Sequence, residues 1–161
     1  MEYKISAEQA FNKYSDMVYR LAFARVKNKY DADDILQEIF LRFIKQKAKL
    51  NNEEHTKALL IRITLNCTKS MFTSAVFKKT QPLDENLSLQ MPERDTLEAV
   101  LRLPLKYRTV IHLHYYCGYS VDEIAKILKS KPSTVKSQLH RARLKLKTEL
   151  EGVEIYVWKR L

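Results

Sequence analysis

Glycine occurs twice in this chain, at 118 and 152, and proline four times, at 82, 92, 104 and 132. Tight β-turns and phosphate-cradling loops both consume glycine, so this scarcity weighs against an all-β or doubly wound fold. It also removes the Walker loop and the Rossmann fingerprint, each of which needs clustered glycines. All six residues fall where helical periodicity lapses, which leaves an all-α chain. Its 161 residues suffice for one ordinary domain or two small ones, and 45% hydrophobic residues supply a core.

Periodicity predicts the helices. Ser6 and Gln9 form a capping box ahead of Phe11, Tyr14, Val18, Leu21 and Ala22, so a helix is expected from Ala7 to about Val26. Asn28-Lys29-Tyr30 reads as a break, with Asp31 capping a second helix that runs to about Gln46. A polar loop over 47–54 precedes a third helix that runs to about Lys79. The segment from Thr80 to Arg94 holds Pro82 and Pro92 and no regular period, and reads as a flexible linker. The expected organisation is a domain over 1–79, a linker over 80–94 and a second domain over 95–161. In the second, helices are expected from Thr96 to Leu103 and from Pro104 to about Cys117, with Gly118 as a left-handed terminator. Ser120 to Glu123 is a capping box for a short helix to about Lys129. After the turn Ser130-Lys131-Pro132, Ser133 is expected to cap a last helix to about Leu150.

Two helices joined by so short a turn, the second one basic, form a helix-turn-helix. Ile124, Ala125 and Leu128 give the first helix its apolar face, and Val135, Leu139 and Ala142 the second. Lys136, Ser137, His140 and Arg141 share the opposite surface. From Lys131 to Lys147 there are six basic residues and no acidic one; the whole chain carries +10 and its pI is about 9.6. A merely solvated helix mixes signs to gain i,i+4 pairs, so a one-signed face points to duplex DNA.

Other chemistry is excluded residue by residue. No metal-carboxylate cluster, nucleophile with its base or phosphate loop is present, so an enzyme is not expected. Cys67 and Cys117 stand fifty positions apart with no C-x-x-C pair, and read as core. His112 and His114 point to different sides of a helix and make poor metal partners. Tyr115 and Tyr116 beside them read as core. Asp31, Asp33 and Asp34 lack the glycine and terminal glutamate of a calcium loop. The chain opens without the apolar core of a signal peptide, and its longest uncharged stretch, from Thr109 to Val121, is too short and polar to span a bilayer, so a cytoplasmic protein is expected. No cofactor, metal or small-molecule substrate is expected.

Asp31-Ala32-Asp33-Asp34-Ile35-Leu36-Gln37-Glu38-Ile39-Phe40-Leu41-Arg42 resembles conserved region 2.2 of bacterial RNA polymerase sigma factors. Leu103-Pro104-Leu105-Lys106-Tyr107-Arg108 resembles the opening of region 4. Gly118 to Ala125 and Thr134 to Arg143 are similar to its helix-turn-helix. The size and layout resemble the extracytoplasmic-function (ECF) group, which keeps regions 2 and 4 only. The resemblance covers about residues 7 to 150.

It implies a transcription initiation factor that binds core polymerase, selects a promoter through two elements and opens it. Asp34, Gln37, Glu38 and Leu41 would meet a coiled coil of the β′ subunit, and their i, i+3, i+4, i+7 spacing makes one helical stripe. Seven apolar residues between Ile35 and Ile44 are more than one core stripe needs. Arg62, Asn66 and Lys69 would hold the melted promoter element, with 47–54 as the base-capturing loop. Here Leu59 replaces the tryptophan usual before the arginine motif. Ser133, Thr134, Lys136, Ser137, His140, Arg141 and Arg143 would read the upstream element, Ser133 standing where the family often has glycine. The resemblance also implies an anti-sigma factor as partner. The alternative is a helix-turn-helix regulator that never engages polymerase, which has no use for the Asp31 to Arg42 segment.

Overall fold

The computed structural model describes residues 3–46, 50–73 and 91–149, with 91–96 described by backbone alone. Every regular element among them is helical: α1 Ala7–Val26, α2 Lys29–Lys45, α3 Glu53–Thr73, α4 Met91–Arg102, α5 Leu105–Ile111, α6 Val121–Leu128 and α7 Pro132–Glu149. α5 runs on into one wider π turn, His112–Tyr116. Contacts divide the chain into two compact units, Met1–Leu83 and Asp84–Leu161.

In the first unit α1, α2 and α3 pack on one another in all three pairings. α1 begins at the Ser6–Gln9 capping box, with Gln9 N–H donating to Ser6 Oγ at 3.0 Å and Ser6 N–H to Gln9 Oε1 at 2.9 Å. It ends at Lys27, whose φ of 60° is left-handed. Asn28 follows at once as the cap of α2, accepting from Asp31 N–H at 3.0 Å. The break is therefore shorter than expected, and Asp31 is not the cap but a first-turn residue. The core joins Tyr14, Val18, Leu21 and Phe23 to Ile35, Ile39, Phe40 and Phe43, and to Leu60, Ile61 and Ile63. Each such side chain is worth about 1.5–3 kcal/mol of burial.

Polar groups enter this core in a controlled way. Thr56, Thr64 and Thr68 are buried on α3, and each hydroxyl donates to its own helix four residues back, Thr64 to Leu60 O at 2.7 Å and Thr68 to Thr64 O at 2.9 Å. Arg25 on α1 donates to Thr68 Oγ1 at 2.7 Å and lies over the Phe72 ring, while burial lowers its guanidinium pKa to about 10. At the other end of α3, Lys13 pairs with Glu53 and Asn52 caps His55 N–H. The expected end of α3 at Lys79 lies outside the described residues.

The second unit is built on α7, against which α5 and α6 pack, with α4 touching it through fewer residues. α4 starts at Met91, so residues 91–94 of the expected linker are helical. Pro92 fits because a first-turn residue needs no intrahelical N–H bond. The rest of that segment, 80–90, lies outside the described residues. Arg108 is buried and donates to Leu103 O at 2.7 Å, closing the corner between α4 and α5. Gly118 at φ +77° terminates the π turn as expected. α6 opens with the predicted capping box, Glu123 N–H to Ser120 Oγ at 3.2 Å and Ser120 N–H to Glu123 Oε2 at 2.8 Å. It closes at Lys129, left-handed at φ 53°, with Ser130 N–H reaching Ala125 O at 2.9 Å. α7 starts earlier than expected. Pro132 occupies its first position, where a missing N–H costs nothing, and Ser133 lies inside the first turn and is not the cap.

Among the described residues no helix is long and apolar enough to cross a membrane, and no group of three or more His, Cys, Asp and Glu is placed to hold a metal ion.

Candidate functional site

α2 carries the first candidate surface. Ile35, Ile39, Phe40 and Phe43 face the core, and Asp34, Gln37, Glu38 and Leu41 are all exposed. Leu41 is 51% and Ile44 60% exposed, so the apolar surplus counted in the sequence does reach solvent. The exposed row extends further than the predicted stripe. Tyr30, 76% exposed, precedes Asp34, Gln37, Leu41 and Ile44 at alternating spacings of four and three residues. That is the repeat of a coiled-coil seam, suited to knobs-into-holes contact with another helix. Tyr30 is the member that sequence reasoning missed, because it was read as part of a break and not as helix. Glu38 is held along the helix by Arg42, Nε to Oε1 2.9 Å, a half-exposed pair worth about 0.3–0.5 kcal/mol. Beneath lies Cys67, whose thiol pKa is raised by burial despite the nearby Arg42 charge. Asp31 is half-buried at the head of the row, and burial together with the Asp34 charge raises its carboxyl pKa.

On α3, Arg62, Asn66 and Lys69 are all exposed, on the side opposite the buried Ile61, Thr64 and Thr68. Leu59 is half-buried in the packing of the helix. Phe72 is half-buried and engaged by Arg25. The loop 47–54 is described only from Leu50 onward.

α7 carries the third surface. Val135, Leu139, Ala142 and Leu146 are buried, while Ser133, Thr134, Lys136, Ser137, His140 and Arg141 are exposed. Ser133, Thr134, Ser137 and Arg141 come together around an open hollow of about 360 Å³, which Gln138 and Lys106 complete. Both of these were missed. Gln138 follows Thr134 by one helical turn and was readable in principle; Lys106 belongs to α5, and nothing in its local sequence connects it to α7. Arg143 stands apart from the other predicted DNA contacts. It is half-buried, donates to the Tyr115 hydroxyl at 2.6 Å and lies over that ring at 5.5 Å. Tyr115 is thus a partner of α7, and Tyr116 is 51% exposed and stacked on His112, so neither tyrosine is the core residue that was expected. His114 contacts Tyr119 O through Nδ1 at 2.8 Å.

Comparison with known proteins joins these surfaces in one family. The Sigma-70 region 2 family matches residues 10–76, and Sigma-70, region 4 matches residues 93–146. The ECF RNA polymerase sigma factor SigW of Bacillus subtilis is 30% identical, over 87% of this chain and 86% of the relative. RNA polymerase sigma factor SigV of the same organism is 31% identical, over 77% of this chain and 78% of the relative. In fold, the chain is similar to the sigma factor RpoE of Bartonella quintana, solved with the anti-sigma factor NepR, with a TM-score of 0.75 at 20% identity over 91% of this chain and 98% of that one. It is also similar to CnrH, solved with the cytosolic domain of CnrY, with a TM-score of 0.67 at 21% identity over 92% and 89% of the two chains. The region 2 match answers the alternative of a plain helix-turn-helix regulator, which would have no such half. The chain belongs to the extracytoplasmic-function sigma factors of bacterial RNA polymerase, which direct promoter recognition and transcription initiation.

Proposed function

We propose a division of labour among three helical faces. The α2 row from Tyr30 to Ile44, centred on Asp34, Gln37, Glu38 and Leu41, engages the β′ coiled coil of core polymerase. The α3 face of Arg62, Asn66 and Lys69 holds the melted promoter element. The α7 face of Ser133, Thr134, Lys136, Ser137, His140 and Arg141 enters the major groove of the upstream element. There Arg141 and Lys136 have the chemistry to meet guanine edges or phosphates. Arg143 supports α7 through Tyr115 and does not touch bases.

The observation that carries this reading is the exposed seam on α2. A helix packed in a three-helix unit has no structural reason to keep Leu41 and Ile44 in water, and a helical partner supplies one. Two independently folded domains, 1–79 and one that begins with α4 at Met91, would act on two promoter elements through the segment between them. The factor works in the cytoplasm and has no catalytic residue, because the polymerase performs the chemistry. An anti-sigma factor is its negative partner, a proposal supported by the likeness to RpoE, which was solved bound to one.

In vitro transcription with purified core polymerase on a genomic fragment library tests the whole reading. Discrete start sites that weaken when Gln37→Ala and Leu41→Ala are combined are expected. Duplex binding without any polymerase-dependent initiation would favour a plain regulator instead.

A further inference from the structure

The helix-turn-helix comprises α6 and α7, yet the hollow beside α7 is walled on one side by α5. Its lining consists of Lys106 from α5 and Ser133, Thr134, Ser137, Gln138 and Arg141 from α7. It contains two cations, three hydroxyls and one amide, and no carboxylate and no apolar side chain. Every lining residue is exposed except Gln138, which is half-buried. An open site this polar and this positive does not suit an apolar ligand. Its donors match the tetrahedral oxygens of a phosphate, which accept from ammonium, guanidinium and hydroxyl groups together.

We propose that this hollow seats one backbone phosphate of the upstream promoter element, and that Lys106 is a DNA contact supplied from outside the helix-turn-helix. The inference rests on the proposed docking of α7 in the major groove. With α7 in the groove, a strand of the duplex borders each flank of that helix. The flank bearing Thr134, Gln138 and Arg141 faces Lys106, so the bordering strand passes across the open mouth of the hollow that they line. Lys106 and the Ser133 and Thr134 hydroxyls hold the phosphate, and Ser137, Gln138 and Arg141 are left at the groove side, where base edges lie. The Lys106 ammonium lies over the Tyr107 ring, 5.1 Å from its centre. The contact carries no sequence information of its own. It sets how deeply and at what angle α7 enters, and so which base edges Arg141 and Gln138 can reach.

The test uses holoenzyme, assembled from core polymerase with wild-type, Lys106→Gln or Lys106→Arg chains, on promoter fragments obtained from the transcription experiment above. Lys106 is exposed, so neither variant disturbs the core. Lys106→Gln is expected to weaken duplex binding about fivefold to tenfold at 0.1 M salt and to flatten the salt dependence by about 0.9 in slope, one phosphate contact. Base preference in a site selection stays as in wild type, and Lys106→Arg restores both affinity and slope. Replacing phosphates one at a time by uncharged methylphosphonates should reveal a single position at which wild type and Lys106→Gln bind equally. Equal affinity and slope for Lys106→Gln and wild type would overturn the proposal while leaving the function intact. The same loss at every methylphosphonate position would also overturn it, because Lys106 would then act only as diffuse charge. Failure of the wild-type holoenzyme to recognise any promoter would remove the function and this contact with it.

Discussion

The exposed faces of α2 and α7 are made of opposite materials. α2 presents Tyr30, Leu41 and Ile44 among Asp34, Gln37 and Glu38, an oily and acidic row; α7 presents hydroxyls and cations, with Leu144 as its one exposed large apolar side chain among the described residues. The apolar members of the first surface gain free energy by leaving water, and salt affects that gain little. The second gains by releasing counterions from a polyanion, and salt weakens it steeply. Two helices of similar length in one small protein therefore suit partners of two kinds, and ionic strength separates them.

The strongest way to break the comparison is to unfold one side of it. Leu139, 1% exposed, anchors α7, and Leu139→Ala is expected to destabilise the second unit by about 2–5 kcal/mol. Duplex binding should disappear while affinity for a β′ coiled-coil fragment persists; parallel loss of both would show that the faces are not independent. Next, Arg141→Ala is expected to cost about 1–3 kcal/mol and to relax preference at one base position. Lys145→Ala and Lys147→Ala should instead weaken all sequences alike, each lowering the salt slope by about 0.9. A site selection combined with a salt titration checks both. On the α2 side, Gln37→Ala with Leu41→Ala should weaken the coiled-coil fragment by about 1–2 kcal/mol with little salt dependence and unchanged circular dichroism. A steep salt dependence there would erase the contrast. The helix ends supply a smaller and symmetrical effect. Lys27→Gly and Lys129→Gly each relieve a left-handed side chain, offset by glycine's extra freedom when unfolded, for a net gain of about 0.5 kcal/mol in chemical denaturation.

The smallest effect belongs to Asp31. Its raised carboxyl pKa means that the folded state holds the proton more tightly than the unfolded one. Stability from this group therefore rises as pH falls through the raised folded value, and the penalty is fully present at neutral pH. Asp31→Asn should raise the melting temperature slightly at pH 7, and the gain should vanish in acid, where Asp31 is protonated in either state.

What was legible in the sequence was local. The capping boxes at Ser6 and Ser120 and the left-handed Gly118 involve neighbours a few residues apart, and all three stand where they were read. The start of α2 was misread because lysine, not glycine, takes the left-handed position at 27, so nothing marked how short the break is. Ser133 looked like a cap until Pro132 took the first position of α7. Pro92 looked like a helix breaker, yet the first turn of α4 tolerates it. The tyrosines at 115 and 116 escaped because a π turn carries an extra residue and shifts every later side chain away from the 3.6-residue pattern. The site followed the same rule. Faces confined to one helix were visible, whereas Lys106, brought to α7 by the packing of α5, was not.

α3 is fastened to α1 at two separate points. Near its start Lys13 holds Glu53 and the Tyr14 hydroxyl reaches Glu53 O at 3.5 Å; near its end Arg25 holds Thr68. Between them the contact is grease, with the Thr64 hydroxyl turned inward on its own helix. Mechanically, α3 is a beam supported at both ends. Arg62 and Asn66 lie between the supports, so a pull applied to them would load both. The helix proposed to grip opened DNA is thus tied to α1 by polar contacts on both sides of Arg62 and Asn66, while it also packs on α2.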